Sequence, residues 1–173
     1  KSGNTWVRAI IASLFFTNQG KFSFEYLKYI STYEYDKRFD FIKKLNKNDY
    51  NNLSKLEIIS KYWVDSQNNI EIDGDFHFLK THHACIKFNN YPFTTPLNTL
   101  GLIYLVRDPR DIAISYSKHL GISIDETIDF MSKKDSITRT FSSFPSWLSR
   151  WDLNYISWKN SSVPILFIKY EDM

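Results

Sequence analysis

Six apolar side chains, Trp6, Val7, Ile10, Ile11, Leu14 and Phe15, recur at intervals of three and four residues behind a short polar start, KSGNT. This spacing predicts an amphipathic helix running to about Thr17, with the Gly3 turn at its N-terminus. The pattern then loosens. Residues 22–63 read as helical segments broken by loops, and the polar stretch LNKNDYNNL, residues 45–53, reads as a surface connection. HFLKT, residues 77–81, predicts a short strand that ends in a basic residue. The unbroken apolar run GLIYLV, residues 101–106, predicts a strand covered on both faces, as in a parallel sheet flanked by helices. Asp108 then supplies an N-cap and Pro109 a first helical position for DPRDIAISYSKHL, so a strand-to-helix switch falls at Arg107. Further helices are expected at residues 124–132 and 146–160, and VPILFIKY, residues 163–170, closes as another buried strand. Strands that alternate with helices predict an α/β fold, a three-layer sandwich with a mainly parallel central sheet. Its ligand crevice should lie beyond the strand C-termini.

Composition narrows this picture. At 173 residues and 43% hydrophobic, the chain can form one domain, residues 1–173, with a substantial core. A net charge of +3 is too mild to indicate a nucleic-acid partner, whereas a small anionic ligand fits it. Cys85 is the single cysteine, so no intrachain disulfide can form, and a reducing, cytoplasmic location fits best. No cysteine framework suggests a metal. The longest apolar runs, residues 9–16 and 100–106, fall far short of the roughly 20 residues of a membrane helix, and nothing indicates a membrane partner. The chain has no initiating Met and is expected to be cut at both ends.

Four segments carry candidate chemistry. Amides around Gly3, at a helix N-terminus, can face an anion, and Lys1 and Ser2 add a cation and a hydroxyl. The triphosphate P-loop pattern GxxxxGK[ST] is absent, so this turn is a different phosphate cradle or a plain loop-to-helix cap. Lys80-Thr81-His82-His83 places a potential base and a cation at a strand end, though surface histidines would look the same. Adjacent side chains on an extended segment point in opposite directions, which disfavours joint metal binding by His82 and His83. In RDPRDIAIS, Arg107 and Ser115 could hold a phosphate, or Arg107 could be capped by nearby carboxylates. Tyr170, Glu171 and Asp172 follow the last strand, where a tyrosine commonly packs at the fold edge.

Together these segments resemble the sulfotransferase family that uses 3'-phosphoadenosine 5'-phosphosulfate (PAPS). KSGNTW is similar to the family's PKSGTTW loop, KTHH to its KTH strand end, and LIYLVRDPRDIAISYSKH to its second nucleotide signature. LFIKYEDM resembles the YEDM ending of a later strand, and Ser146-Trp147 resembles the SW pair in the helix before it. The resemblance implies a P-loop-like nucleotide-binding architecture and PAPS as co-substrate, with no metal. It implies that Lys1, Ser2, Gly3, Asn4 and Thr5 contact the 5'-phosphosulfate and that Trp6 stacks on adenine. Arg107 and Ser115 then contact the 3'-phosphate, and Tyr170 lies on the adenine side. His82 falls on the catalytic base, Lys80 on a lysine that stabilises the transferring sulfuryl group, and Lys1 on the leaving-group cation. His77, His83 and His119 match no required position and are expected on the surface or in packing. Cys85 is expected as a buried small hydrophobe and Trp6, read by itself, as a core residue.

Asn4 stands where threonine is commoner in the family, and Asp108 where asparagine is. His83 and Ala84 follow KTH in place of leucine and proline. The strand before Lys1 and the family's C-terminal phosphate clamp are not in this sequence, so the chain alone is expected to bind nucleotide weakly. An adenine-nucleotide-binding protein without catalysis, and a small-molecule kinase, are the alternatives. The acceptor, a small molecule or glycan, is not specified by these motifs. The aromatic-rich segments 22–35 and 91–93 either line its pocket or fill the core, and the core reading leads.

Overall fold

The computed structural model describes residues 3–71, 74, 76–138 and 143–173. Helix α1, Asn4–Phe15, begins where Gly3 adopts a left-handed φ of 82°. A strand, β1, Ser31–Thr32, follows, and then four short helices: α2 Ile42–Leu45, α3 Lys47–Tyr50, α4 Leu56–Ile59 and α5 Trp63–Asn68. Strand β2 is Leu79–Lys80, and β3, Lys87–Phe88, forms an antiparallel hairpin with β4, Tyr91–Pro92. The positive φ of Asn89 and Asn90 at the hairpin tip suits a two-residue turn, because asparagine tolerates the left-handed region better than most residues. Strand β5, Leu102–Val106, leads into α6, Pro109–Leu120, and α7, Ile124–Ser132. Strands β6, Ile137–Thr138, and β7, Ser146–Trp147, then pair antiparallel. Helix α8, Trp151–Lys159, and strand β8, Ile165–Lys169, complete the order.

The protein is α/β, with small parallel sheets. Strand β1 pairs with β2 and β5 with β8, both parallel, and each described sheet has two strands. The parallel pairs are the ones that matter for function, because both deliver their C-terminal ends to one cleft.

Three expectations change. Residues 45–53 are not a plain surface connection: they contain α3, and Leu53 and Asp49 are buried. Asp49 is retained in the interior because Tyr62 and Lys61 satisfy its carboxylate at 2.8 and 3.3 Å. Ser146 and Trp147 lie in a strand and not a helix, since Ser149 takes a positive φ of 59° and breaks the chain before α8 begins. The strands β5 and β8 are not covered on both faces among the described residues, with Ile103 39% and Leu166 58% exposed.

The core gathers Tyr33, Phe39, Ile42, Leu53, Leu56, Ile59, Trp63, Phe93 and Trp158. The core reading of the aromatic segments therefore holds for Tyr33 and Phe93 and fails for Phe22 and Phe24, which are exposed. Among the described residues no helix is long and apolar enough to cross a membrane.

His83 belongs to this core. Its ring, 1% exposed, stacks on Phe93 at 4.1 Å and meets Trp63 edge-on at 4.7 Å. Nδ1 lies 2.9 Å from the Ala84 carbonyl oxygen, which can only accept, so Nδ1 carries the proton of the neutral ring. Nε2 has no hydrogen-bond partner among the described residues. Burial accordingly holds the imidazole down to about 4. Between that value and about 6.5 the unfolded chain binds the extra proton and the folded chain does not, so stability falls as pH falls across this window. The loss should reach up to about 3 kcal/mol at the lower end. Urea unfolding followed from pH 7 to pH 4 checks this, with His83→Gln expected to flatten that part of the curve.

Candidate active site

A cleft of about 620 Å³ opens where β2, β5 and β8 end, and its walls include Gly3, Asn4, Thr5, Lys80, His82, Arg107, Ser115 and Tyr170. Residues from the beginning, middle and end of the chain thus converge, as expected for the carboxyl ends of strands in a parallel arrangement. Trp6 does not line the cleft; it is 61% exposed, which removes the core reading for it. Lys1 and Ser2 lie outside the described residues.

The entrance of α1 is free of carboxylates among the described residues. Among the described residues no side chain caps it, and its first turn holds no acidic residue. By contrast, the Asp108 side chain accepts from the Arg110 amide at 2.8 Å to cap α6, and Ser123 and Glu126 form a reciprocal capping box on α7. The first amides of α1 keep their donor capacity for another partner, and the helix dipole favours a negative one.

Strand register explains the next contact. Val106 pairs with Lys169, so Arg107 and Tyr170 occupy the following rung beyond the ladder. The Arg107 guanidinium lies 4.1 Å from the Tyr170 ring centroid, and one of its terminal nitrogens is 3.8 Å from Asp111 Oδ2, one helical turn on. The flat ring supports the cation from one side. Asp108 donates its amide to Glu171 Oε1 at 2.9 Å, so the YED turn is fastened to the start of α6 and the Glu171 carboxyl is held below its ordinary range. Asp108, paired with Arg110, is held down to about 2.

Tyr170 also meets the opening turn. A Cβ built on Gly3 would come within 2.7 and 2.9 Å of the Tyr170 ring and 3.0 Å of Met173 Cε. Gly3 is therefore required twice, for its left-handed φ and for this close approach. Tyr170 works as a strut between the opening turn and Arg107.

The KTHH segment is clamped on both sides of His82. The Thr81 hydroxyl donates to Glu34 Oε1 at 2.5 Å and accepts from the His83 amide at 2.9 Å. On the other side, Trp158 Nε1 donates to the His83 carbonyl at 2.8 Å and the Ala84 amide donates to Trp147 O at 2.8 Å. Asn154 Nδ2 donates to the His82 carbonyl at 3.4 Å. His82 is exposed and His83 is buried, the opposite directions that an extended segment imposes.

Among the cleft residues without a functional assignment from sequence are Arg8, Glu34, His119 and Asn154. Arg8 had a usable signal, since it lies one turn after Asn4 on the same helix face. It donates to the carbonyls of Leu27 and Ile30 at 2.8 and 2.7 Å, fastening α1 to the segment before β1. His119 is exposed on α6 and its ring is 6.2 Å from that of Tyr116. Glu34 and Asn154 had no local signal for the cleft, because the partners they meet in the KTHH segment lie 47 and 72 positions away. His77 is exposed, and Cys85 is half-buried, with burial pushing its thiol upward, as suits a packing residue. Among the described residues no group of three or more His, Cys, Asp or Glu could hold a metal ion.

Gly3→Ala should destabilise the fold by about 1–2 kcal/mol from the left-handed φ alone, before the clash with Tyr170 adds to it. A thermal melt reads this as a drop of roughly 2–4 °C per kcal/mol, and adding Tyr170→Ala should return only the clash component.

No curated protein and no solved structure matches the chain. A family model described as the sulfotransferase domain matches residues 1–173, the whole chain. With Gly3, Asn4 and Thr5 of the opening turn, the KTHH segment, Arg107 and Ser115 of RDPRDIAIS and Tyr170 of YEDM lining one cleft, the chain belongs to the sulfotransferase domain family.

Proposed function

We propose that the protein transfers a sulfuryl group from PAPS to a hydroxyl or amine of a small-molecule or glycan acceptor, by in-line displacement with His82 as the general base. The observation that carries this reading is the convergence of Gly3, Lys80, His82, Arg107 and Tyr170 on one cleft. The donor's chemistry suits these residues. An uncapped helix start and a glycine that leaves no room for a side chain favour the 5'-phosphosulfate, while a guanidinium backed by an aromatic ring, with the Ser115 hydroxyl on the same cleft, favours the 3'-phosphate. Trp6, exposed beside the opening turn, is free of core duties and can stack on adenine.

In the transfer, the acceptor oxygen or nitrogen forms a bond to sulfur as the bond from sulfur to the bridging phosphate oxygen breaks. The acceptor's proton passes to the His82 imidazole. The departing phosphate oxygen gains charge, which Lys1 offsets, and Lys80 offsets charge on the sulfuryl oxygens in flight. Such contacts accelerate the reaction because they strengthen as charge develops. Fixed side-chain cations and backbone amides do here what metal ions do in many phosphoryl transfers. The same reading takes residues 1–173 as one domain, in a P-loop-like three-layer sandwich. It favours a cytoplasmic location on the ground of the single cysteine.

Transfer of labelled sulfate from PAPS to an acceptor panel tests the reaction. His82→Ala should lower kcat by about 10²–10⁴ while the affinity for 3'-phosphoadenosine 5'-phosphate stays within about twofold. A His82→Ala protein with full turnover would remove the base assignment. ATP that competes as well as 3'-phosphoadenosine 5'-phosphate would remove the donor.

A further inference from the structure

The cleft contains one feature that opposes an anionic donor. Glu34 is the single carboxylate among its described lining residues, alongside Arg8, Lys80 and Arg107, and it is only 3% exposed. A buried carboxyl group is costly to keep in a site for a polyanion unless it performs another task.

The surroundings of Glu34 show what that task is. Thr32 pairs with Lys80 at the last rung of the β1–β2 ladder, and the Tyr33 amide donates to the Lys80 carbonyl at 2.7 Å. There the backbone pairing stops. The next connection is made by side chains, from Thr81 Oγ1 to Glu34 Oε1 at 2.5 Å. A hydroxyl has one proton to give, so donation to Glu34 turns its lone pairs toward the His83 amide, 2.9 Å away. Glu34 is itself immobilised. Its carbonyl accepts from the Phe144 amide at 2.8 Å, and Arg38 braces the preceding residues by donating to the Tyr33 carbonyl and the Ser31 hydroxyl, both at 2.9 Å.

We infer that Glu34, acting through Thr81, is a positioning residue that sets the backbone from Lys80 to His83 and so aims the His82 imidazole and the Lys80 ammonium into the cleft. This rests on the sulfuryl-transfer reading above. Glu34 acts as a fixed acceptor, and the oxygen in that place matters more than its charge. Exposed His82 lies between two anchored residues, Thr81 and His83, so loss of either anchor lets its backbone rotate. A misplacement on the order of 1 Å can cost about 100-fold in rate.

The test measures kcat, KM and the affinity for 3'-phosphoadenosine 5'-phosphate, together with the His82 ring signals in NMR spectra at pH 7. Glu34→Ala and Thr81→Val should each lower kcat by about 10- to 100-fold, with nucleotide affinity within about twofold of wild type and the His82 signals displaced. Thr81→Ser and Glu34→Gln, which keep the donor and the acceptor oxygen, should restore kcat to within about fivefold and return the His82 signals. The double variant Glu34→Ala/Thr81→Val should lose no more than the worse single, because both break one connection.

Thr81→Val, which preserves side-chain volume, carries the test by itself if Glu34→Ala does not fold. Wild-type kcat and unmoved His82 signals in Thr81→Val would overturn the inference. So would additive losses, a Glu34→Gln protein as impaired as Glu34→Ala, or a parallel loss of nucleotide affinity. The two readings fail separately: a wild-type protein that transfers no sulfate refutes the reaction, while the His82 signals still report whether Glu34 and Thr81 hold that segment.

Discussion

The burial of His83 against Phe93 and Trp63 joins the hydrophobic core to the candidate site. One residue earlier the chain presents His82 to solvent, so the position of the proposed base is set by how firmly its neighbour is held. The hold is apolar and polar at once. Ring stacking fills the interior, and the His83 carbonyl accepts the indole proton of Trp158 at 2.8 Å. The arrangement leaves one imidazole nitrogen without a hydrogen-bond partner among the described residues, a cost on the order of 1–3 kcal/mol for a buried polar group. A protein retains such a cost where the geometry it secures is worth more than the hydrogen bond.

The cleft is organised by the ends of two parallel strand pairs. Beyond β5 and β8 the register brings Arg107 and Tyr170 together, and beyond β1 and β2 it brings Glu34 to Thr81. In both cases the last backbone rung is followed by a contact between side chains, so ladder geometry passes directly into site geometry. Parallel pairing has this property because the C-terminal ends of neighbouring strands lie at the same edge, whereas in a hairpin they lie at opposite edges. The hairpin formed by β3 and β4 accordingly contributes no residue to the cleft, and supports it from behind through Phe93.

Charge is distributed on the same logic. Two carboxylates near the cleft are committed to structure: Asp108 caps α6 and binds Arg110, and Glu171 holds the Asp108 amide. The start of α1, which would gain from such a cap, has none among the described residues. Leaving those amides uncapped forgoes some helix stability and keeps their donors available at a turn that lines the same cleft as Arg107 and Lys80.

How far the sequence could be read depended on the distance between partners. The helices α1 and α6 and the strands β5 and β8 were legible because hydrophobic period and an Asp-Pro start act within a few residues. Motif order located Gly3, Lys80, His82, Arg107, Ser115 and Tyr170, and the opposite facing of His82 and His83 followed from strand geometry alone. The helix expected over residues 146–160 began late because a left-handed Ser149 interrupts it, a conformation that no local pattern signals. Residues 45–53 looked like surface because the one buried carboxylate among them, Asp49, is satisfied by Tyr62 and Lys61, which the stretch itself does not contain. Sequence by itself determined which residue types reach the strand ends. Tertiary structure alone decided that Glu34 meets Thr81, that Trp158 holds His83 and that Tyr170 fills the space beside Gly3, since each contact joins segments tens of residues apart and forms only when strands pair and the core closes.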